Sequence, residues 1–209
     1  VNDRRWIPLL SIPKNLDINP NNPIVSKPYI KTKNNLIHKW KKELSSEKRP
    51  IVGINWQGGL SMEKSSYKGR SIPLENFSFI LKQNDITFLS LQKGYGSEQL
   101  KYCSFQNKFV SCQDKINQIW EFTESAAIAA NCDVIITCDT SVAHLAGAMG
   151  LKVWLLLKDI PFWTWGLQGE CTFWYPSMRL FRQDKKNDWS TLFEKVGLEL
   201  REELAIHYE

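Results

Sequence analysis

The residues best suited to chemistry lie between two apolar segments in the second half of the chain. Val134 to Thr137 is a short, β-branched run that predicts a buried strand, and the polar run Asp139 to Ser141 follows it. The small residues after Val142 then predict a closely packed helix, for which each of the three polar residues is a good N-cap. The N–H groups at such a helix start suit an anion. His144 either contacts a ligand there or packs against the helix.

The loop after the first predicted strand carries glycine and positive charge. It runs from Gln57 through Gly58 to Ser71, and it includes Lys68 and Arg70. Glycine lets backbone approach a ligand closely, and the two basic side chains suit an anionic ligand. The loop fits neither the dinucleotide nor the P-loop pattern. It is either a ligand-binding loop or a surface loop with solvated bases.

Two further loops follow predicted strands. In the first, Gln92 can read a base or ribose edge and Lys93 suits a phosphate, although a simple turn explains the adjacent glycines equally well. The second, Lys158 to Gly169, carries Trp163 and Trp165, whose faces either stack on a base or sugar or pack at the end of the sheet. Ligands of parallel sheets bind beyond the carboxyl ends of the strands, where all these loops meet.

Strands and helices alternate from Pro50 onward, which predicts an α/β fold with a doubly wound parallel sheet of the Rossmann-like kind. The predicted strands are Ile51–Trp56, Ile86–Leu91, Phe109–Ser111, Val134–Thr137, Lys152–Leu157 and Met178–Phe181. The predicted helices are Asn34–Leu44, Pro73–Lys82, Glu124–Asn131, Val142–Met149 and Trp189–Leu204.

Composition narrows the class of protein. The 209 residues carry a net charge of +5, and the lysines are scattered, so a nucleic-acid partner is not predicted. The five cysteines contain no C-x-x-C pair, which favours reduced thiols, no metal site and a cytoplasmic location. No apolar run is long enough to predict a transmembrane segment.

The first 49 residues differ from the rest. Prolines from Pro8 to Pro28 exclude a long helix and predict an extended lead-in, followed by one short amphipathic helix. The chain begins at Val1, and we interpret residues 1–49 as a crossover from a preceding domain and residues 50–209 as one domain. If this segment is such a crossover, its apolar residues near Trp6 lack the contacts of that domain and would fold back, stay mobile or support weak homo-oligomers.

Several motifs together resemble the C-terminal half of bacterial glycosyltransferases that often follow tetratricopeptide repeats. That group is related to the heptosyltransferases and more distantly to the protein O-GlcNAc transferases. The resembling stretches are residues 52–58, 69–74, 88–94, 139–148 and 174–183.

The resemblance implies the GT-B fold, in which two Rossmann-like domains enclose the active site. This chain would be the donor-binding half, taking a nucleotide-diphosphate sugar as substrate without metal or other cofactor. The acceptor site and the general base would come from the absent N-terminal domain, so the chain alone would transfer no sugar. A stand-alone nucleotide-binding module and a packing scaffold without ligand are the alternatives.

The resemblance also assigns roles to individual residues. Phosphate contacts would come from Arg70, Thr140, Ser141, Val142 and His144. Contacts to the nucleoside and sugar would come from Gln57, Gly58, Gln92, Lys93, Asp139, Trp163 and Trp165.

Overall fold

Five parallel strands form a single sheet in the computed structural model, which describes residues 6–23, 27–64, 68–82 and 84–208. The order across the sheet is β2-β1-β3-β4-β5. Every residue of the first four strands is buried, which explains why they appear in the sequence as apolar runs rather than alternating patterns. The strands are β1 (Ile51–Asn55), β2 (Thr87–Ser90), β3 (Val134–Cys138), β4 (Val153–Leu157) and β5 (Met178–Arg182).

Helices precede and connect these strands. Within the described ranges, no helix combines the length and the apolar character that crossing a membrane requires. The α-helices are α1 (Ile12–Asn15), α2 (Asn34–Glu43), α3 (Leu60–Glu63), α4 (Ser78–Leu81), α5 (Gln113–Asn117), α6 (Phe122–Ala129), α7 (Ser141–Ala148) and α8 (Trp189–Tyr208). Short 3-10 helices are Leu9–Ser11, Leu74–Phe77, Ser97–Lys101, Gln106–Lys108 and Trp163–Trp165.

Helices cover both faces of the sheet. On one face, α4 and α8 supply Ile80 and Phe193 to a core that also contains Ile54 of β1. On the other face, α2, α5, α6 and α7 build a second core, in which Trp40 is fully buried. The prediction of an α/β fold with a doubly wound parallel sheet is therefore confirmed.

Two predicted elements differ from the structure. The predicted strand Phe109–Ser111 is wrong: Phe109 makes one bridge to Phe88, after which the N–H and hydroxyl of Ser111 donate to Glu47 and lead the chain away from β2. The predicted helix Pro73–Lys82 is a 3-10 turn followed by α4. Its buried residues are Leu74, Phe77 and Ile80, a spacing of three that suits the tighter helix.

The lead-in segment contacts the domain in part. The N–H groups of Tyr29 and Ile30 both donate to the carbonyl of Ala148, at the end of α7, at 2.9 and 3.1 Å. Trp6 and Leu9 are exposed, and the predicted start of the crossover at residues 1–5 lies outside the described residues. Weak self-association through this segment stays a prediction.

The α8 core contact gives a test of the fold. Phe193 is fully buried, and its ring lies 4.7 Å from that of Phe77. Phe193→Ala should reduce the free energy of unfolding by about 3–5 kcal/mol, because it removes a large core side chain and leaves a cavity. Leu198→Ala, at a half-exposed position of the same helix, should cost about 1 kcal/mol or less. Urea denaturation of both variants checks this, and equal losses would contradict the packing of α8.

Candidate functional site

A buried polar network joins the carboxyl ends of three strands. Asn55, the last residue of β1, donates its side-chain N–H to Gln92 Oε1 at 2.7 Å. Its Oδ1 accepts from the hydroxyls of Thr140 at 2.7 Å and Thr137 at 3.3 Å. Because Gln92 follows β2 and Thr140 follows β3, this network fixes the three loop starts relative to one another.

Gln92 organises the loop backbone around it. Besides Asn55, its Oε1 accepts from the N–H of Gln57 at 3.0 Å, and its Nε2 donates to the carbonyls of Gln57 and Tyr95 at 3.0 and 2.8 Å. The side chain is 3% exposed, and these partners use its donors and acceptor. The structure therefore gives Gln92 a positioning role, and leaves no amide group of this residue to read a base or ribose edge.

The start of α7 is open. Thr140 is the N-cap residue, but it makes no side-chain cap bond, because its hydroxyl donates to Asn55 instead. The helix thus starts within the polar run Asp139–Ser141, as the sequence predicts, but without a side-chain cap from its N-cap residue. Within the described part of the chain, the N–H groups of Ser141 and Val142 have no acceptor, and both residues line the cavity described below. Two unpaired N–H groups at a helix start suit an anion.

Arg70 is held at the edge of this site by its neighbours. Its Nε lies 3.1 Å from Glu63 Oε1, and its Nη1 donates to the carbonyl of Asp139 at 2.9 Å. Ser71 donates its hydroxyl to the same Glu63 oxygen at 2.7 Å. Gly58 lies directly against the guanidinium: a Cβ there would be 2.1 Å from Nη2. Glycine at this position therefore leaves room for the Arg70 fork.

Lys93 supplies a second positive charge. Its ammonium donates to the carbonyl of Ile116, and the side chain is half-buried. Burial lowers the pKa of Lys93 to about 8. No carboxylate within the described ranges forms an ion pair with it, so an anionic ligand would find this charge uncompensated.

These groups line one cavity of about 430 Å³, which we call the switch cavity. It lies above the ends of β1 and β3, where the chain order reverses across the sheet, and this is where ligands bind in open α/β sheets. Among the described residues that line it, none is acidic. They are Asn55, Gln57, Gly58, Gly59, Arg70, Leu91, Gln92, Lys93, Tyr95, Trp120, Phe122, Ser125, Ala129, Thr140, Ser141, Val142, Leu145 and Ala146.

A neighbouring cavity of about 440 Å³ shares Arg70 with the switch cavity, and Asp139 and Trp163 also line it. Asp139 is buried, which raises the pKa of its carboxyl, although His144, Arg70 and the Trp165 indole favour the charged form. The Trp165 indole N–H makes no hydrogen bond of normal geometry. Trp163 is half exposed.

His144 and Trp165 belong to an aromatic cluster beside these cavities. Their rings stack with centroids 5.1 Å apart, and His144 Nδ1 lies 2.9 Å from the Tyr175 hydroxyl. His144 Nε2 is 4.0 Å from the Asp139 carboxylate, and burial lowers the pKa of the imidazole. Neither His144 nor Trp165 lines the two cavities, and Trp165 is 3% exposed. The structure does not support the predicted ligand contact of the buried Trp165, and that of His144 stays a prediction.

Eight of the twelve site residues predicted from the sequence line the switch cavity, but the prediction omitted other residues of the site. It did not single out Asn55, Glu63, Trp120 or Phe122 for the site. Asn55 had a signal, since an amide at the end of an apolar strand needs a buried partner. Trp120 and Phe122 are both about two-thirds exposed, and their position at or just before the start of α6 gave no indication of which cavity they face. Among the described residues, no three His, Cys, Asp or Glu side chains are grouped to hold a metal ion.

Comparison with known proteins gives a sequence relative and two structural neighbours. No protein-family profile matches the chain. Protein FlbA of Caulobacter vibrioides is 26% identical over 166 residues, which cover 78% of this chain but 27% of FlbA. This chain therefore spans about a quarter of that relative.

Both structural neighbours are glycosyltransferases. A family 9 glycosyltransferase from Veillonella parvula superposes with a TM-score of 0.59 at 12% identity, over 86% of this chain and 54% of that one. The ADP-heptose lipopolysaccharide heptosyltransferase II of E. coli gives 0.57 at 14% identity, over 90% of this chain and 57% of that one. This chain thus has the α/β fold found in these glycosyltransferases and spans little more than half of their length.

The contact between Gly58 and Arg70 is testable with a matched pair. Gly58→Ala should displace the Arg70 guanidinium and weaken the binding of inorganic pyrophosphate by about 1–3 kcal/mol, the range for a charge-assisted contact. The melting temperature should fall as well, because the displaced guanidinium loses its contacts to Glu63 and to the Asp139 carbonyl. Gly59→Ala is the control, since a Cβ there meets nothing within 4 Å. Calorimetry checks this, and equal affinities in both variants would show that Arg70 does not face the anion.

Proposed function

We propose that this chain binds the nucleotide-diphosphate sugar donor of a glycosyltransferase in the switch cavity. The observation that carries the proposal is the lining of that cavity. The described lining residues provide an open helix start, two cationic side chains and an apolar, aromatic end, and they include no carboxylate. The fold shared with two glycosyltransferases supports the reaction class.

The chemistry of the lining suggests how such a donor lies. The diphosphate would accept from the N–H groups of Ser141 and Val142, between the charges of Arg70 and Lys93. The base would lie against Trp120 and Phe122, whose exposed aromatic faces suit stacking. With the base and the diphosphate placed in this way, the sugar would extend past Arg70 into the neighbouring cavity that contains Asp139 and Trp163.

The same groups would serve the transfer step. When the bond between the sugar and the phosphate breaks, negative charge develops on the departing nucleoside diphosphate. Two cations and a helix start can stabilise this charge, and we propose that they do so without a metal ion. The acceptor and its general base would come from a further domain, since GT-B chemistry brackets donor and acceptor between two domains. Association with tetratricopeptide repeats and a cytoplasmic location belong to the same proposal.

Calorimetry with UDP, ADP and GDP and with their sugars tests the proposal. Binding of a nucleoside diphosphate and its sugar supports a donor site, while the preferred base identifies the donor class. A nucleotide that binds with no preference for its sugar form would favour a stand-alone nucleotide module. The absence of heat and of a thermal shift with every ligand at about 1 mM, enough to detect a Kd in the micromolar range, would overturn the proposal.

The two cations give a first prediction. Arg70→Ala and Lys93→Ala should each weaken nucleoside diphosphate binding by about 1–3 kcal/mol, because each removes a charge-assisted contact to phosphate. Arg201→Ala and Lys41→Ala are matched controls at exposed positions outside the cavity and should bind as the unaltered chain does. Calorimetry measures the affinities. Unchanged binding in both site variants would place the phosphates elsewhere.

These variants should also differ in stability. The Arg70 side chain is 11% exposed and paired with Glu63, so its removal leaves a half-buried carboxylate with fewer partners and should lower the melting temperature. A thermal unfolding curve for each variant separates loss of binding from loss of structure.

The lowered pKa of Lys93 predicts a pH dependence. Its ammonium is charged below about pH 8 and neutral above it, so the affinity for a nucleoside diphosphate should fall as the pH rises from about 7 to about 9. Binding near pH 8 should also take up protons, because phosphate favours the charged form. Calorimetry in buffers of different ionisation enthalpy measures this uptake. Lys93→Arg should remove the dependence, since a guanidinium does not titrate here; a persistent fall in that variant would assign it to another group.

A further inference from the structure

A second, larger cavity lies at the β2 edge of the sheet, and the proposed function makes no use of it. It encloses about 640 Å³ between the 3-10 turn Ser97–Lys101 and helix α5, and we call it the edge cavity. Lys93 and Trp120 separate it from the switch cavity, because both side chains line both spaces. The edge cavity opens at the carboxyl end of β2, so it shares the ligand-binding side of the sheet.

The charge of the edge cavity differs from that of the switch cavity. Its lining contains the carboxylates of Glu98 and Asp114 together with the ammonium groups of Lys93 and Lys101. Two negative and two positive groups leave no net charge. Carboxylates beside a phosphate are unfavourable, so the lining disfavours a second nucleotide and favours a neutral, polar ligand.

Both hydrogen-bond donors and hydrogen-bond acceptors remain available in this cavity. Asn117 Oδ1 accepts from Gln113 at 2.9 Å, which leaves its N–H groups as donors. Gln106 Nε2 donates to the Lys101 carbonyl at 2.7 Å, which leaves its Oε1 as an acceptor. Within the described ranges, the Asp114 carboxylate has no hydrogen-bond or ion-pair partner.

An exposed aromatic face completes the lining. The Trp120 side chain is 66% exposed, and its ring reaches the edge of Gly94, where a Cβ would lie 3.8 Å from it. The flat face of this indole suits an apolar ring surface.

We propose that the edge cavity binds a neutral saccharide. A sugar ring offers adjacent hydroxyls that both donate and accept, which fits planar amide and carboxylate side chains such as Gln106, Asp114 and Asn117. The same ring carries a C–H face, which fits the Trp120 indole. The volume suits one or two sugar rings, as small-molecule sites occupy a few hundred Å³ or more. This inference does not depend on a nucleotide in the switch cavity.

Amide spectra of the full, isotope-labelled chain test the inference with maltose, cellobiose and lactose as probes. We expect saturable shifts of the amides of Ser97–Lys101 and Gln113–Asn117, with a Kd of about 1–10 mM for at least one sugar. Titration of the same sample with ADP or UDP should instead shift the amides near Ser141. Either titration can therefore fail without the other.

Matched variants decide whether the spectral shifts result from binding in the edge cavity. Asn117→Ala and Gln106→Ala should raise the Kd about fivefold, whereas Gln118→Ala and Asn107→Ala, at neighbouring exposed positions outside the lining, should not change it. Gln106 is exposed, so its variant keeps the test valid if Asn117→Ala perturbs folding. The inference is overturned by no shift at about 50 mM sugar, by shifts that both site variants retain, or by triglycine shifting these amides where no sugar does.

Discussion

The site depends on the burial of three polar side chains at the ends of three strands. Asn55, Gln92 and Thr140 are each less than 10% exposed, and an unpaired amide or hydroxyl in such a place would cost about 1–3 kcal/mol. These side chains therefore form hydrogen bonds with one another, which requires the ends of β1, β2 and β3 to lie side by side. Parallel register alone would not hold the loops beyond the strands, because those loops have no ladder of their own. The network supplies that constraint.

One consequence of this network is that helix α7 is not capped by its own N-cap residue. Thr140 could accept from a helical N–H, as threonine commonly does at this position, but its hydroxyl points to Asn55. The chain thereby gives up a local helix cap to fasten β3 to β1, and the N–H groups of Ser141 and Val142 remain at the cavity wall. The unpaired N–H groups at this helix start carry partial positive charge into the cavity, which is the physical reason to expect an anion here.

The sequence predicted those features of the structure that depend on local interactions, and it did not predict those that depend on distant residues. The buried strands were recognisable because both faces of a parallel sheet are covered, so Ile51–Asn55 and Val153–Leu157 are continuous apolar runs. The strand order is not local, and neither is the burial of Gln92, because its partners at the end of β1 lie 35 to 37 residues away in sequence. Trp163 and Trp165 show the same limit: they are two residues apart, yet one is 54% exposed and the other 3%.

The switch cavity and the edge cavity share Lys93 and Trp120, but the charges of their linings differ. On one side of Lys93 and Trp120 the lining holds no acidic residue, and on the other side Glu98 and Asp114 balance the lysines. The Lys93 ammonium reaches neither carboxylate, since it donates to the carbonyl of Ile116, and burial without an ion-pair partner is what lowers its pKa. Had Lys93 paired with Asp114, its charge would be compensated and unavailable to an anion in the switch cavity. Because Lys93 contacts the Ile116 carbonyl instead of a carboxylate, its positive charge remains available to an anion in the switch cavity.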